Sequence, residues 1–277
     1  MKEGDIVYID ASGWIADTGE LVYTTDEEKA KEGGIYDEKA RYGPRPVIVG
    51  AGRLIQGLEE ALLNAEVGKE YEITIPPEKA YGHRKAEDVI IQSLDKIRKV
   101  PPFRDKKVVP EVGMEFVYQG RRARIVAMTA GRVRIDFNHP LAGKTLKYKY
   151  RVVKKVDNTS EKVKAILEIN YGKAEDFDIK IKGDKIDIVL PEECKYSTDW
   201  ALAKFRVVGD IRRYVGAKVL RFIEEYVSKE EKEEKGGEEE GEKEADKEGK
   251  TKTVKKERGE EKESEGKGEK ARKKGKK

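Results

Sequence analysis

The chain has 277 residues and a formal net charge of +4, with 41% of its residues charged and 37% hydrophobic, against ~25% charged and ~45–50% apolar in an ordinary globular domain. The excess charge sits at one end: residues 229–277 hold 18 Lys/Arg and 17 Asp/Glu against three apolar residues, Ala245, Val254 and Ala271. What remains is roughly 43% apolar, which excludes a wholly disordered chain, and it is too long for a single small module.

No stretch approaches the ~18–20 apolar residues of a membrane span, and no basic-then-apolar leader is read at Met1-Lys2-Glu3-Gly4-Asp5. The single cysteine, Cys194, excludes an internal disulfide or a Cys-rich zinc site, and His83 and His139 are too few for a dedicated metal centre. A reducing, cytoplasmic setting is expected.

Residues 5–9 and 11–15 alternate as a strand, and Ala16-Asp17-Thr18-Gly19 supplies turn chemistry before a second strand at 20–24. A loop broken by Gly33-Gly34 and Gly43-Pro44 leads to Pro46 and a short strand at 47–49. Leu54-Ile55, Leu58 and Ala61-Leu62 recur at helical spacing, predicting a helix over 54–64, with Gly68 as its stop. Tyr71, Ile73 and Ile75 alternate with polar residues until Pro76-Pro77 ends the strand. These elements make a small antiparallel sheet covered by one helix.

From about residue 85, Pro101-Pro102 and Pro110 frame a second unit. It has three alternating runs, at Met114/Phe116/Tyr118, Ala123/Ile125/Ala127 and Val133/Ile135/Phe137, joined by turns at Gln119-Gly120 and Ala130-Gly131. This predicts an all-β insertion. The run Leu146–Val152 alternates again and is expected to return to the first sheet. In a third unit, 161–170 fits helix or strand, and Phe177/Ile179/Ile181 with Ile186/Ile188/Leu190 flank a Gly183-Asp184 hairpin. Ile211, Tyr214, Val215, Val219, Phe222, Ile223 and Tyr226 predict a closing amphipathic helix. A unit of this size has little core of its own and is expected to dock on its neighbours or to dimerise.

Three segments carry a resemblance: Gly50-Ala51-Gly52-Arg53-Leu54-Ile55-Gln56-Gly57-Leu58, Ile75-Pro76-Pro77-Glu78-Lys79-Ala80-Tyr81-Gly82, and Phe137-Asn138-His139-Pro140-Leu141-Ala142-Gly143. Together they resemble FKBP-type peptidyl-prolyl cis-trans isomerases of the long archaeal and SlyD-like branch. The implied fold is α+β: an FKBP-like antiparallel half-barrel with a short helix (1–84 and 140–157), an all-β flap insertion (85–139), a C-terminal α+β domain (158–228) and a disordered charged tail (229–277). The implied activity is rotation of Xaa-Pro bonds, with chaperone binding of unfolded chains by the insert. That chemistry needs no nucleophile, metal or cofactor: a dry apolar pocket favours the twisted amide over the more polar planar one.

By this resemblance Tyr81 is the hydroxyl donor, Leu58 the pocket floor, and Tyr148 and Val47 with Leu54 and Ile55 its walls. The backbone of Arg53 and Ile55 is expected to hydrogen-bond the peptide. Ala11 stands where the family usually has tyrosine, and Val22-Tyr23 where it usually has Phe-Asp. Tyr23 and Asp26 are therefore the candidates to replace the missing acid. His83 and His139 are read as hinge or surface residues, and the histidine-free tail implies no nickel or zinc binding.

In the insert, Phe103, Met114, Phe116 and Tyr118 form either a core or a client surface. Arg121, Arg122, Arg124, Arg132 and Arg134 suit solubility, an acidic partner or RNA equally. The expected partners are unfolded or proline-containing polypeptides, a second copy through the C-terminal domain, and weak ribosome or nucleic-acid contact through the basic end at 267–277. No membrane partner is expected. Two rival functions stay open at this stage: an inactive holdase on the same fold, and a ribosome- or RNA-associated binder.

Overall fold

Residues 1–105 and 108–226 are described by the computed structural model; the charged tail at 229–277 lies outside the described residues. Strand β1 (Ile6–Ile15) is the axis of the first sheet. Its alternation sends Val7, Ile9, Ala11 and Ile15 to one face and Ile6 and Tyr8 to the other. Along one edge it pairs antiparallel with β2 (Leu21–Thr24) and β3 (Arg45–Ile48). Along the other it pairs with β9 (Leu146–Val156), which in turn pairs with β4 (Glu70–Ile75). The strand at 146 does return to the first sheet.

Helix α2 (Gln56–Leu63) covers this sheet with Leu58 and Leu62. It approaches β4 so closely that a Cβ on Gly57 would lie 2.5 Å from Ile75 Cγ2. Gly68 does not end this helix, which stops at Asn64. Gly68 has φ +83° and donates its N–H to the Val152 carbonyl at 2.8 Å, hooking the chain onto β9 before β4 starts.

The expected loop before Pro46 contains a short helix, α1 (Glu27–Glu32). Asp26 caps it, accepting from the Glu28 and Lys29 N–H groups at 3.0 and 3.1 Å. Only Ala30 of this helix is buried, so apolar periodicity carries no trace of it.

The insert builds its own core from Ile97, Phe103, Phe116, Tyr118, Ile125 and Ile135. Its sheet runs β5-β8-β7-β6, from β5 (Val89–Ser93), β6 (Glu115–Tyr118), β7 (Arg121–Thr129) and β8 (Arg132–Asp136). It is not wholly β: α3 (Leu94–Ile97) is a helical turn capped by Ser93 that buries Ile97 completely. Strand β5 leaves no period-two signal, because Val89-Ile90-Ile91 is a continuous apolar run without alternation. Asn138 ties the two crossings into the insert together: its Oδ1 accepts the Lys85 N–H at 2.8 Å and its Nδ2 donates to the Lys85 carbonyl at 2.9 Å.

In the third unit, residues 159–171 are helical. Asn158 caps α4 (Thr159–Tyr171), Val163, Ile166 and Leu167 are buried, and Gly172 at φ +90° ends it. The hairpin around Gly183 pairs β10 (Asp178–Lys182) with β11 (Lys185–Val189). The closing helix predicted over 211–226 is not there. Helix α5 (Thr198–Asp210) comes first, a wider helical turn carries Ile211–Val215, and Gly216 at φ +82° ends that turn. Strand β12 (Val219–Ile223) then pairs parallel with β11, setting Ile186 beside Leu220 and Ile188 beside Phe222. Parallel pairing needs a crossover of about a dozen residues or more, and α5 supplies it. The core of this unit includes Ile6, Ile48 and Val156, so it docks on the outer face of the first sheet.

Candidate functional site

Across the first sheet, Tyr23 of β2, Gly13 of β1, Tyr148 of β9 and Ile73 of β4 form one row. Gly13 has no side chain, and the Tyr148 ring lies over it: a Cβ there would sit 2.5 Å from Tyr148 Cζ. The Tyr23 ring lies 6.5 Å from that of Tyr148. Leu58 of α2 and Tyr148 are 4% and 5% exposed, and Val47, Leu54 and Ile55 pack partly buried against the same core.

Tyr81 stands at the open side of this apolar cup, 37% exposed. Its segment is held by Gly82 N–H to the Pro77 carbonyl and by Gly143 N–H to the Gly82 carbonyl, both 2.7 Å. Burial first, then the neighbouring phenols of Tyr81 and Tyr23, push the Tyr148 hydroxyl well above the usual tyrosine range. Burial also raises the Tyr23 phenol against the opposing Arg45 charge, although the residue as a whole is 40% exposed. The fold thus gathers three phenols around an apolar floor, a set suited to hydrogen bonding.

His139 is closer to this site than the sequence suggests. Its ring stacks on Tyr81 with centroids 4.0 Å apart and planes within 2°. Its Nδ1 accepts the Leu141 N–H at 3.1 Å, which assigns the neutral ring's proton to Nε2. Burial pulls its pKa below 6.5. A depressed histidine contributes stability fully above its unfolded pKa and loses it as pH falls through the folded value. NMR titration is expected to give His139 a midpoint below 6.5, with stability declining under that pH; a midpoint at or above it would contradict the partial shielding of this exposed ring by its stack on Tyr81. His83 instead reaches outward to Glu78, Nε2 to Oε1 2.7 Å.

One expectation is narrowed and one needs correction. The Arg53 N–H is not available to a peptide, because it donates to Glu59 Oε1 at 2.9 Å, while the guanidinium turns away to Asp210 at 2.7 Å. Among the described residues, the Ile55 N–H and the Arg53 carbonyl have no partner. Asp26 does not stand in for the missing acid either, since it caps α1 and pairs with Lys29 at 3.1 Å.

Glu59 is the residue that sequence reasoning missed. Buried under the loop, its carboxylate accepts the N–H groups of Gly50 (2.6 Å), Arg53 (2.9 Å) and Leu54 (3.2 Å). A glutamate amid the Leu58 and Leu62 apolar positions is the signal that could have found it. A groove of about 890 Å³ lies elsewhere, among Asp10, Trp14, Glu72 and Lys149 rather than Tyr81, Leu58 and Tyr148.

Comparison with known proteins matches three family models: FKBP-type peptidyl-prolyl cis-trans isomerase over residues 1–95, the FKBP26 IF domain over 100–141, and the FKBP26 C-terminal model over 159–227. The chain is 42% identical over 153 residues to a short-type peptidyl-prolyl cis-trans isomerase of Methanocaldococcus jannaschii, covering 55% of this chain and 92% of that protein. It is 36% identical over 139 residues to the FKBP-type isomerase SlyD of Treponema pallidum, covering 49% and 75%. With SlyD of Helicobacter pylori it shares 33% identity over 124 residues, covering 43% of this chain and 63% of that protein.

Proposed function

Because the chain belongs to the FKBP-type peptidyl-prolyl cis-trans isomerase family and is a rotamase, we propose that the cup over Gly13 is where it rotates Xaa-Pro bonds of folding polypeptides. The observation that carries this is the convergence of Tyr23, Tyr81 and Tyr148 over the buried Leu58. The barrier of ~18–20 kcal/mol arises from amide conjugation, so lowering it requires a site that accommodates the twisted, less polar amide better than the planar one. Leu58, Val47, Leu54 and Ile55 supply apolar walls for the prolyl ring, and Tyr148 closes one side. The Ile55 N–H donates to a substrate carbonyl, the Arg53 carbonyl accepts from the peptide, and the Tyr81 hydroxyl donates to the amide region. Tyr23 takes the place of the family's usual aspartate as a neutral donor.

The same proposal gives residues 1–84 and 140–157 the catalysis, 85–139 the capture of unfolded chains, and 158–228 a docked C-terminal domain. Two linked sites raise the effective concentration of substrate at the cup. Catalysis of a proline-limited refolding reaction tests this. The whole chain is expected to accelerate the slow phase, and deletion of 85–139 to cut that acceleration by roughly tenfold or more, within the range for linked sites. An unchanged rate after deletion would separate the insert from catalysis, and no acceleration by either form would remove the cup as the site.

Pairing with a second copy is drawn on the C-terminal domain, where Leu202 and Phe205 stand exposed on α5; sedimentation of the whole chain as a monomer at refolding concentrations would remove it. Nucleic-acid contact through 267–277 involves residues outside those described, and salt-independent or absent RNA binding would remove that. A cytoplasmic location is proposed on the lone Cys194, and fractionation tests it. Among the described residues, no helix is long and apolar enough to cross a membrane.

A further inference from the structure

The outward face of the insert sheet is cationic, and its cations are largely uncompensated. Register sets Ile91 of β5 beside Arg134 of β8 and Ala127 of β7, with Ser93, Arg132 and Thr129 in the next row. On the other side, Val117 of β6 lies beside Arg122, and Glu115 beside Arg124, which faces Asp136. All these side chains share one face, because their neighbours Phe116, Ala123, Ile125, Val133 and Ile135 point into the core.

Four arginines therefore stand on one exposed surface with two acids. Asp136 is buried and engaged by Arg84 and Asn138, which leaves Glu115 as the solvent-facing carboxylate. Among the described residues, Arg122, Arg132 and Arg134 have no carboxylate within ion-pair distance, and Arg124 donates its Nε–H to the Gly113 carbonyl at 3.2 Å. Between them, Ile91 and Val117 are 56% and 61% exposed. At the end nearest the isomerase domain, a crevice of about 460 Å³ lies between Arg84 and Arg134 over Ala86, Val89 and Val126.

The geometry points to a docking surface for extended polypeptide segments that alternate acidic and aliphatic side chains. Carboxylates meet the arginines, and aliphatic groups cover Ile91 and Val117. Single-stranded nucleic acid fits less well, since such sites stack bases on exposed aromatics. Here Phe103, Phe116 and Tyr118 are buried, and Phe137 lies under the Arg121 guanidinium at 4.5 Å. This rests on the reading of the insert as the chain-capturing unit and narrows it: capture selects by charge as well as by apolarity.

The test is fluorescence anisotropy with the full chain and labelled, proline-free peptides of equal length. One alternates Glu with Val and Leu; in the others Glu becomes Gln or Lys. The Glu peptide is expected to bind roughly tenfold more tightly than the Gln peptide, as a few exposed ion pairs allow, and to weaken as salt rises. The double variants Arg122→Glu/Arg134→Glu and Arg122→Gln/Arg134→Gln are each expected to erase that difference, with the melting temperature reporting that each is folded. Equal binding of the three peptides, or a preference that survives both variants, overturns the assignment. So does tighter binding of a single-stranded RNA oligonucleotide than of the Glu peptide. The peptides carry no proline, so turnover of a neutral proline tetrapeptide by the same sample reports separately on the prolyl cup.

Discussion

Substituting Gly13→Ala is expected to lower kcat/KM for a proline peptide by at least about tenfold while destabilising the fold by ~1–3 kcal/mol, the usual cost of forcing extra volume into a packed site. The new methyl would lie 2.5 Å from Tyr148 Cζ and 2.8 and 2.9 Å from the two Cε atoms. The strand cannot give by that much, because Gly13 is paired on both edges, to Tyr23 and to Tyr148 itself. The ring must swing off the sheet, which removes one wall of the cup and the neighbour of Tyr23. Protease-coupled peptide kinetics and thermal unfolding on the same sample check this. Wild-type kinetics in a destabilised variant would show that Tyr148 packs there without shaping the site.

Substituting Glu59→Ala is expected to cost about 3 kcal/mol, because hydrogen bonds to a charged acceptor are worth ~1.5–3 kcal/mol each and do not add fully. For a folded unit of this size that is a fall in Tm of roughly 6–12 °C. The loss has a specific location. The Gly50, Arg53 and Leu54 N–H groups converge on this one carboxylate, and without it the loop carrying Leu54 and the free Ile55 N–H loses its anchor. Peptide KM is therefore expected to rise by about tenfold or more, a penalty of ~1.4 kcal/mol or more in binding. Glu59→Gln keeps one acceptor oxygen and is expected to fall between the two. If Glu59→Ala lowers Tm yet leaves KM unchanged, the loop is held by its ends and the carboxylate is structural only.

Both predictions concern residues whose partners are distant or disguised in the sequence. The Tyr81, Leu58 and Tyr148 positions were legible because their motifs resemble a family, and each sits near the cup. Glu59 looked like one of several charges on a helix, and Gly13 like any strand glycine. His139 reads as a hinge or surface residue in the sequence, yet its ring lies flat on Tyr81. Of the Arg53 backbone only the carbonyl stays open to a peptide, because the chain satisfies the N–H itself through Glu59.

Local pattern determined the strands of the first sheet, the paired runs of the insert and the Gly183 hairpin, since alternation with period two records which face of each segment is buried. It did the same for α2. It failed where burial is not local. Helix α5 exposes Leu202 and Phe205 beside its buried Trp200, Ala203 and Val207, which blurs any amphipathic stripe. Val219–Ile223 reads equally as a helix face until Gly216 turns the chain and β11 offers a parallel edge. Tertiary closure alone set Tyr148 over Gly13, Arg53 on Asp210 and the third unit on Ile6, Ile48 and Val156. A periodic pattern specifies that a side chain is buried; only the packed chain decides what it is buried against.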